Sequence, residues 1–478
     1  MKRFIALVAL FAVMNSIAGS ISLDSAYIVE VTSGSTTVIQ DTLTGNGYLV
    51  VTGGGTVELS GTGNNFTGGI IISNGVVRAS SPGAFGSGDI ILDGTSELRT
   101  VEFNVKDAVF DNGILLKTGS TSHTKPAVKA LKNVTINGNV VMDASLGSSA
   151  VNTIYADSNV KATYNGELNA GGAKLLFYGN GKSVIKGKIT AEEITCGKNF
   201  SDNGSIELWN SNNKIKTVKL YAADLYCKAP NVMKGAFLDF YWEEKWEANA
   251  HGFVLLGGND QEFAGIHSRK GKPGMLTTGA YANALPSSNS DSPCTITITG
   301  RIGQDTSVQC YAGLTGKYSL VINQAQNANP LYQHFLYRIH KMTGDIIVNN
   351  GQIRVSTGAT FPNVKNISVT GGVIVFTGVN DAMLALEKLT MTGGEARFMA
   401  DSVNSISSKA EYHLTSNSKL YLQPGVTNSV NRLYVDGIAM PAGTYSYENL
   451  LLMKASNPTS YTGAIVVRKG PRFVMVIR

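Results

Sequence analysis

Residues 67–80, TGGIIISNGVVRAS, return at residues 343–356 as TGDIIVNNGQIRVS. The shared frame is T-G-x-I-I-x-x-N-G-x-x-R-x-S, and the register holds beyond it. SPGAFGSGDIILDG at 81–94 is answered by TGATFPNVKNISVTGG at 357–372. Ile70 to Ile90 is twenty residues and Ile346 to Ile367 is twenty-one. A period of twenty-odd residues carrying two or three short apolar runs is a solenoid signature, because one such unit cannot bury its apolar face alone and must stack on its neighbours. Shorter echoes recur as NVTINGNVVMDAS at 133–145, CTITITGRIG at 294–303, LTMTGGEARFMA at 389–400 and NPTSYTGAIVVRKG at 457–470.

Within one unit, alternation in IIISNGVVRAS sends every second branched side chain to one face. The Asn-Gly step makes a tight corner, since Gly, and less readily Asn, accepts positive φ. Asn-Gly between two strands is also the usual mark of a hairpin, but repetition of the whole block favours successive coils in which corner glycines stack on corner glycines. Composition agrees: glycine supplies 53 of 478 residues and charged residues only 15%, against ordinary shares of about 7% and 25%. With 43% apolar residues the chain has too much hydrophobicity for disorder and reads as all-β with many turns.

Lys2 and Arg3 followed by FIALVALFAVMNSIA, with small residues at Ser16 and Ala18, form a secretory signal over residues 1–18. The run is short for a membrane span, and no integral membrane segment is expected after its removal. Losing Lys2 and Arg3 lowers the formal charge from +6 to +4 (6 − 2), too little over such a length to imply a nucleic-acid partner. The expected destination is outside the cell, secreted or at a bacterial surface. In that oxidising setting Cys196, Cys227, Cys294 and Cys310 allow three pairings. The closer sequence pairs, Cys196–Cys227 and Cys294–Cys310, are the candidate bridges between neighbouring turns, with burial as free thiols the alternative. No Cys/His cluster suggests zinc, and no metal or other cofactor is expected.

GNGYLVVTGGGTVELSGTGNNFTGGIIISNGVVRAS at 45–80 resembles the autotransporter-associated β-strand repeat. The best match covers 45–94, with an interrupted second version over 313–372. VLLGGNDQEFAGI at 254–266 and the closing RLYVDGIAMPAGTYS at 432–446 are similar to segments common in such passengers, and the recognisable blocks together span about 40% of the chain. The resemblance implies a right-handed parallel β-helix, secreted or displayed at a surface. The family's C-terminal translocator barrel is not expected, because only RKGPRFVMVIR follows the last repeat.

The expected organisation is a signal at 1–18, an N-terminal cap and first coils at 19–60, β-solenoid at 61–235, irregular loop excursions at 236–293, and solenoid with a C-terminal cap at 294–478. SISLDSAYIVEVTSG at 20–34 is a candidate capping strand pair. DAMLALEKL at 381–389 and NPLYQHFLYRIHK at 329–341 are the two helix candidates.

Chemistry concentrates in FLDFYWEEKWEANAH, 237–251. Asp239, Glu243, Glu244 and Glu247 are the candidate catalytic carboxylates, since glycoside cleavage needs two such groups about 5–9.5 Å apart. Tyr241, Trp242, Trp246 and His251 are the candidate ligand-binding residues, because flat rings beside carboxylates suit a sugar. The plainer reading is that the rings pin a loop on the solenoid while the glutamates face solvent. His334 and His340 lack a third metal partner and read as part of a surface loop. The expected function is therefore a non-catalytic, adhesin-like structural protein. A polysaccharide-binding or polysaccharide-degrading β-helix is the alternative, and an extracellular glycan, a surface protein or another copy of the chain the candidate partner.

Overall fold

Alternation and corner chemistry produce short rungs that, along the described stack, pair in parallel with rungs one coil away. Strand Ile70–Ile72 lies parallel between Leu49–Thr52 and Ile90–Leu92, and Gly75–Ala79 lies parallel between Thr56–Leu59 and Arg99–Phe103. The Asn-Gly step between them is a corner and not a hairpin, with Gly75 at φ +128° and its counterpart Gly351 at φ +85°. The computed structural model describes residues 19–119, 125–197, 204–221, 223–240, 253–268, 284–285, 293–299, 307–310, 313–324, 332–336, 339–356, 358–378, 380–399, 402, 404–446, 450 and 463–470. The protein is all-β, a β-solenoid of the right-handed parallel β-helix kind.

Among the described residues, one sheet of 26 strands runs the length of the stack, flanked by a seven-stranded sheet (Ala108–Phe110 to Phe253–Leu255) and then a six-stranded one (Ser307–Cys310 to Lys419–Leu422). Inward side chains form axial columns. Leu49, Ile70, Ile90, Ile114, Val140, Leu168 and Ile189 follow one another in register. Ile296, Leu320, Ile346, Ile367, Leu389, Tyr412 and Leu433 do the same further along. The result is one apolar core from Leu23 to Val467, driven by removal of these faces from water.

The corners stack as well. At one edge of the seven-stranded sheet the Asn165 amide donates to the Asn137 side-chain oxygen at 2.8 Å, and the Asn137 amide to Asp111 at 2.7 Å. Beside this ladder, Gly138, Gly166 and Gly187 lie directly over backbone carbonyls of the coil below. There the need for glycine is close approach, because any Cβ would enter a carbonyl oxygen. Asn64 ties coils from within, accepting from the Leu43 N–H and donating to the Ala84 carbonyl, both at 2.8 Å.

Several expectations change. Residues 20–34 do not pair with each other: Ser20–Ser22 and Tyr27–Glu30 are separate rungs, parallel to Thr42–Thr44 and Leu49–Thr52. The segment 381–389 is not helical. Ala382, Met383 and Leu386 point into the core at a corner, Met383 bridges to Ile406, and strand Lys388–Met391 follows. In 329–341, Tyr332–Leu336 is a strand between Ser307–Cys310 and Gln352–Ser356. In both, pairing with the coils above and below overrides local helix preference. Within the expected loop region at 236–293 the described strands Ala236–Phe240, Phe253–Leu255, Gln261–Ser268 and Ala284–Leu285 are rungs of the stack, and 241–252, 269–283 and 286–292 lie outside the described residues. The signal at 1–18 lies outside the described residues. At the far end Arg432–Val435 turns back on Ile438–Ala439 through Asp436 (φ +47°) and Gly437 (φ +81°), and Gly443–Tyr445 runs antiparallel to Ala464–Val467.

Candidate functional site

Because strands pair in register, outward side chains line up along the axis at about 4.8 Å intervals. On the long sheet one such column reads Glu58, Arg78, Glu102, Lys129, Tyr155, Tyr178. Arg78 bridges Glu58 at 3.4 Å and Glu102 at 2.7 Å, Lys129 reaches Glu102 at 2.8 Å, and the Tyr155 and Tyr178 rings are 4.8 Å apart. Further along, Glu193 takes Lys219 at 2.9 Å and Lys174 at 3.8 Å. These charges satisfy one another across coils and do not converge on a cleft.

Asp239 is the one expected carboxylate within the described residues. It stands on strand Ala236–Phe240, opposite Lys219 on one side and His267 on the other. It is buried, with Oδ1 2.8 Å from His267 Nδ1, and the imidazole, still partly open to solvent, stacks on Phe237. The carboxylate thus orients the ring through Nδ1. Glu243, Glu244, Glu247, Tyr241, Trp242, Trp246 and His251 lie outside the described residues.

A second group sits on the seven-stranded sheet. Alternation in SIELWN (205–210) sends Glu207 and Trp209 outward, and in DLYC (224–227) Asp224 and Tyr226. The indole N–H of Trp209 donates to Glu207 at 3.2 Å, and Glu207 also takes Lys182 at 3.0 Å and Lys228 at 3.8 Å. Both ammonium groups lie near the Tyr226 ring, at 5.7 and 5.2 Å. Burial by itself raises the Glu207 pKa, but the hydrogen bonds from Lys182 and Trp209 and the charges of Lys182 and Lys228 outweigh it, and the net shift is downward. Burial raises Asp224. In the strand register Asp224 faces Ser205 while Glu207 faces Tyr226, which sets the two carboxylate-bearing Cα atoms roughly 8 Å apart diagonally. The alternation that aligns them was present in the sequence. What the sequence did not give was the register that makes them neighbours.

The depressed Glu207 pKa has a pH consequence. A carboxylate lowered in the folded state adds stability above its unfolded value, and that contribution disappears as the pH falls through the folded one. Relative to Glu207→Gln, the parent should therefore lose stability as the pH drops below 4.5. Parallel pH–denaturation curves for the two proteins would contradict this assignment.

The thiols differ from expectation. Cys196, Cys227 and Cys294 are buried and free, so the Cys196–Cys227 bridge is absent. Cys196 sits on the long sheet and Cys227 on the seven-stranded one, each stacked in its own column on Leu220 and Leu208. Cys294 carries no bridge either, and the Cys310 side chain lies outside the described residues. Burial pushes Cys196 up to about 12 and Cys294 up to about 11, and raises Cys227 as well. Thiols held so far from thiolate are poor nucleophiles. His340 is not on a surface loop: it is fully buried, accepts the Leu314 N–H at Nδ1 (3.2 Å) and stacks on Phe361 at 4.3 Å.

Among the described residues no three His, Cys, Asp or Glu side chains gather so as to hold a metal ion, and no helix is long and apolar enough to cross a membrane. A recess lined by Phe177, Gly181, Ser205 and Ala223 has room for about one water. No family model, no curated protein and no solved structure matches this chain.

Proposed function

We propose that this protein is a non-enzymatic, adhesin-like β-helical scaffold, exported through residues 1–18 and secreted or displayed at a bacterial surface. The observation that carries this reading is the fate of the outward charges. Glu58, Arg78, Glu102 and Lys129 are consumed in an axial ion-pair column that ties successive coils together, as suits a rod whose repeats contact only their neighbours. The likeness of residues 45–94 to the autotransporter-associated repeat supports the same role. On expression in a Gram-negative host, the protein is expected in the medium or on the cell surface, and deletion of residues 2–18 is expected to retain it in the cytosol. Cytosolic recovery of the full chain would count against export.

A polysaccharide-binding or polysaccharide-degrading role is the second reading. It is favoured by Glu207 and Asp224, two carboxylates on one face with pKa values moved in opposite directions, beside the exposed Trp209 and the half-buried Tyr226. Opposed environments are how paired carboxylates divide acid and base roles. Incubation with a panel of extracellular glycans, followed by product analysis, separates the readings. The scaffold role predicts no cleavage products. Cleavage that disappears in Glu207→Gln and Asp224→Asn would overturn it in favour of the enzyme.

A further inference from the structure

We propose that copies of this chain associate head to tail, the first coil of one copy against the closing hairpins of the next. Among the described residues, strands Ser20–Ser22, Tyr27–Glu30 and Thr36–Ile39 pair on one side only, with Thr42–Thr44, Leu49–Thr52 and Thr56–Leu59. In the first two of these strands inward side chains are left partly open: Ile21, Tyr27 and Val29 are only half-buried, whereas Leu43, Leu49 and Val51, their direct partners one coil on, are fully enclosed; Leu23, Val31 and Ile39 of the same coil are buried. The core is thus partly open at this end along Ile21, Tyr27 and Val29, and Ile28 adds an outward apolar side chain at 63% exposure. Exposed strand edges are ordinarily blunted with lysine or proline. Residues 19–39 contain neither.

The opposite end offers a matching surface. Val435, Met440 and Tyr445 lie partly buried against the end of the core, Ile438 is 70% exposed, and strands Ile438–Ala439 and Gly443–Tyr445 each have one partner among the described residues. Both strands run against the direction of the rungs, so backbone pairing across the junction would be antiparallel.

Charge selects the partner and its orientation. Residues 19–77 hold Asp24, Glu30, Asp41 and Glu58 and no lysine or arginine. Glu58 is engaged by Arg78, the Gly19 N–H donates to Asp41, and Asp24 and Glu30 are exposed. At the far end the last rung carries exposed Arg468 and Lys469, while Asp436 accepts the Ser416 N–H and Arg432 faces Glu411. Two N-terminal ends brought together would set acid against acid. An N-terminal end on a C-terminal end sets acid against base, and like charges across an interface are what suppress the wrong pairing. Such a heterologous contact, made end to end along the coil axis, leaves one free end of each kind and extends into rods.

The test uses the exported protein in sedimentation velocity and negative-stain microscopy over a wide concentration range. Rods that lengthen with concentration and shorten with added salt are expected, since exposed charges are screened. The Arg468→Glu/Lys469→Glu variant and the Asp24→Lys/Glu30→Lys variant should each associate about tenfold more weakly or worse, with circular dichroism unchanged because all four positions are exposed. Mixing the two variants restores complementary ends at both junctions and should restore rods. A monomer at every concentration, dimers that do not grow, or charge-reversed variants that assemble as well as the parent would each overturn the proposal.

Discussion

Gly187→Ala is expected to destabilise its region of the stack by about 3 kcal/mol. A Cβ at this position would be driven into the carbonyl oxygen of Gly166 in the coil below, and Gly166 in turn lies over the carbonyl of Gly138. Relief requires parting two coils at a corner where backbone carbonyls and not flexible side chains are the obstacle. The damage should extend to Lys182–Ile185 and Ile189–Cys196, which that corner joins. Solenoids need not unfold in one step, so amide exchange in these two strands is a sharper readout than a global midpoint. Unchanged exchange there, with an unchanged denaturation midpoint, would falsify the close-approach account.

Phe103→Ala is expected to cost about 4 kcal/mol, the range for removing a large buried ring without collapse of the space it leaves. Phe103 is buried, with its ring 5.6 Å from Phe85 and 4.9 Å from Phe110. Phe85 and Phe110 are themselves in contact at 5.3 Å. Phe103 and Phe110 stand on successive rungs of one coil and Phe85 on the coil before it, and loss of Phe103 removes filling on which both other rings pack. Phe103→Leu retains more of the volume and should cost about 1–2 kcal/mol. Equal denaturation curves for the alanine and leucine variants would show that the surrounding coils close over the gap and that packing here is looser than the ring geometry implies.

The two substitutions probe features of unequal legibility. The Asn-Gly corners and the apolar rungs around Ile70 and Ile346 could be read directly, because their chemistry is local: a positive φ at the corner and alternation along the strand. The glycine column at 138, 166 and 187 was foreseeable in kind, as corner stacked on corner. Its reason, backbone lying against backbone, appears only when coils are superposed. Residues 381–389 misled because Ala, Met, Leu and Glu all favour helix in isolation. Inward burial of Ala382, Met383 and Leu386 and the bridge from Met383 to Ile406 outweigh that preference.

The candidate sites show the same division. Asp239 was recognisable as a carboxylate beside aromatics, but its partner His267 lies 28 residues on and had no local mark. Glu207 and Trp209 share a face by simple alternation, yet only pairing with Asp224–Cys227 brings Asp224 and Tyr226 alongside them. Cys196 and Cys227 are close in sequence and stand in different sheets, which removed the expected bridge.

By itself, the sequence determined the inward faces of the clearest rungs and the Asn-Gly corners around Ile70 and Ile346, since these depend on residues within a few places of one another, and the return of the block at 343–356 marked them as stackable. The tertiary structure alone decided which outward side chains meet. Neighbours in a solenoid are one coil apart, and coil length here varies: Glu58 and Arg78 are 20 residues apart, Glu102 and Lys129 27. A slip of one residue in any coil would turn its outward set inward. Only the hydrogen-bonded register, fixed by burial of the aliphatic columns, converts the order of residues along the chain into the order of charges along the rod.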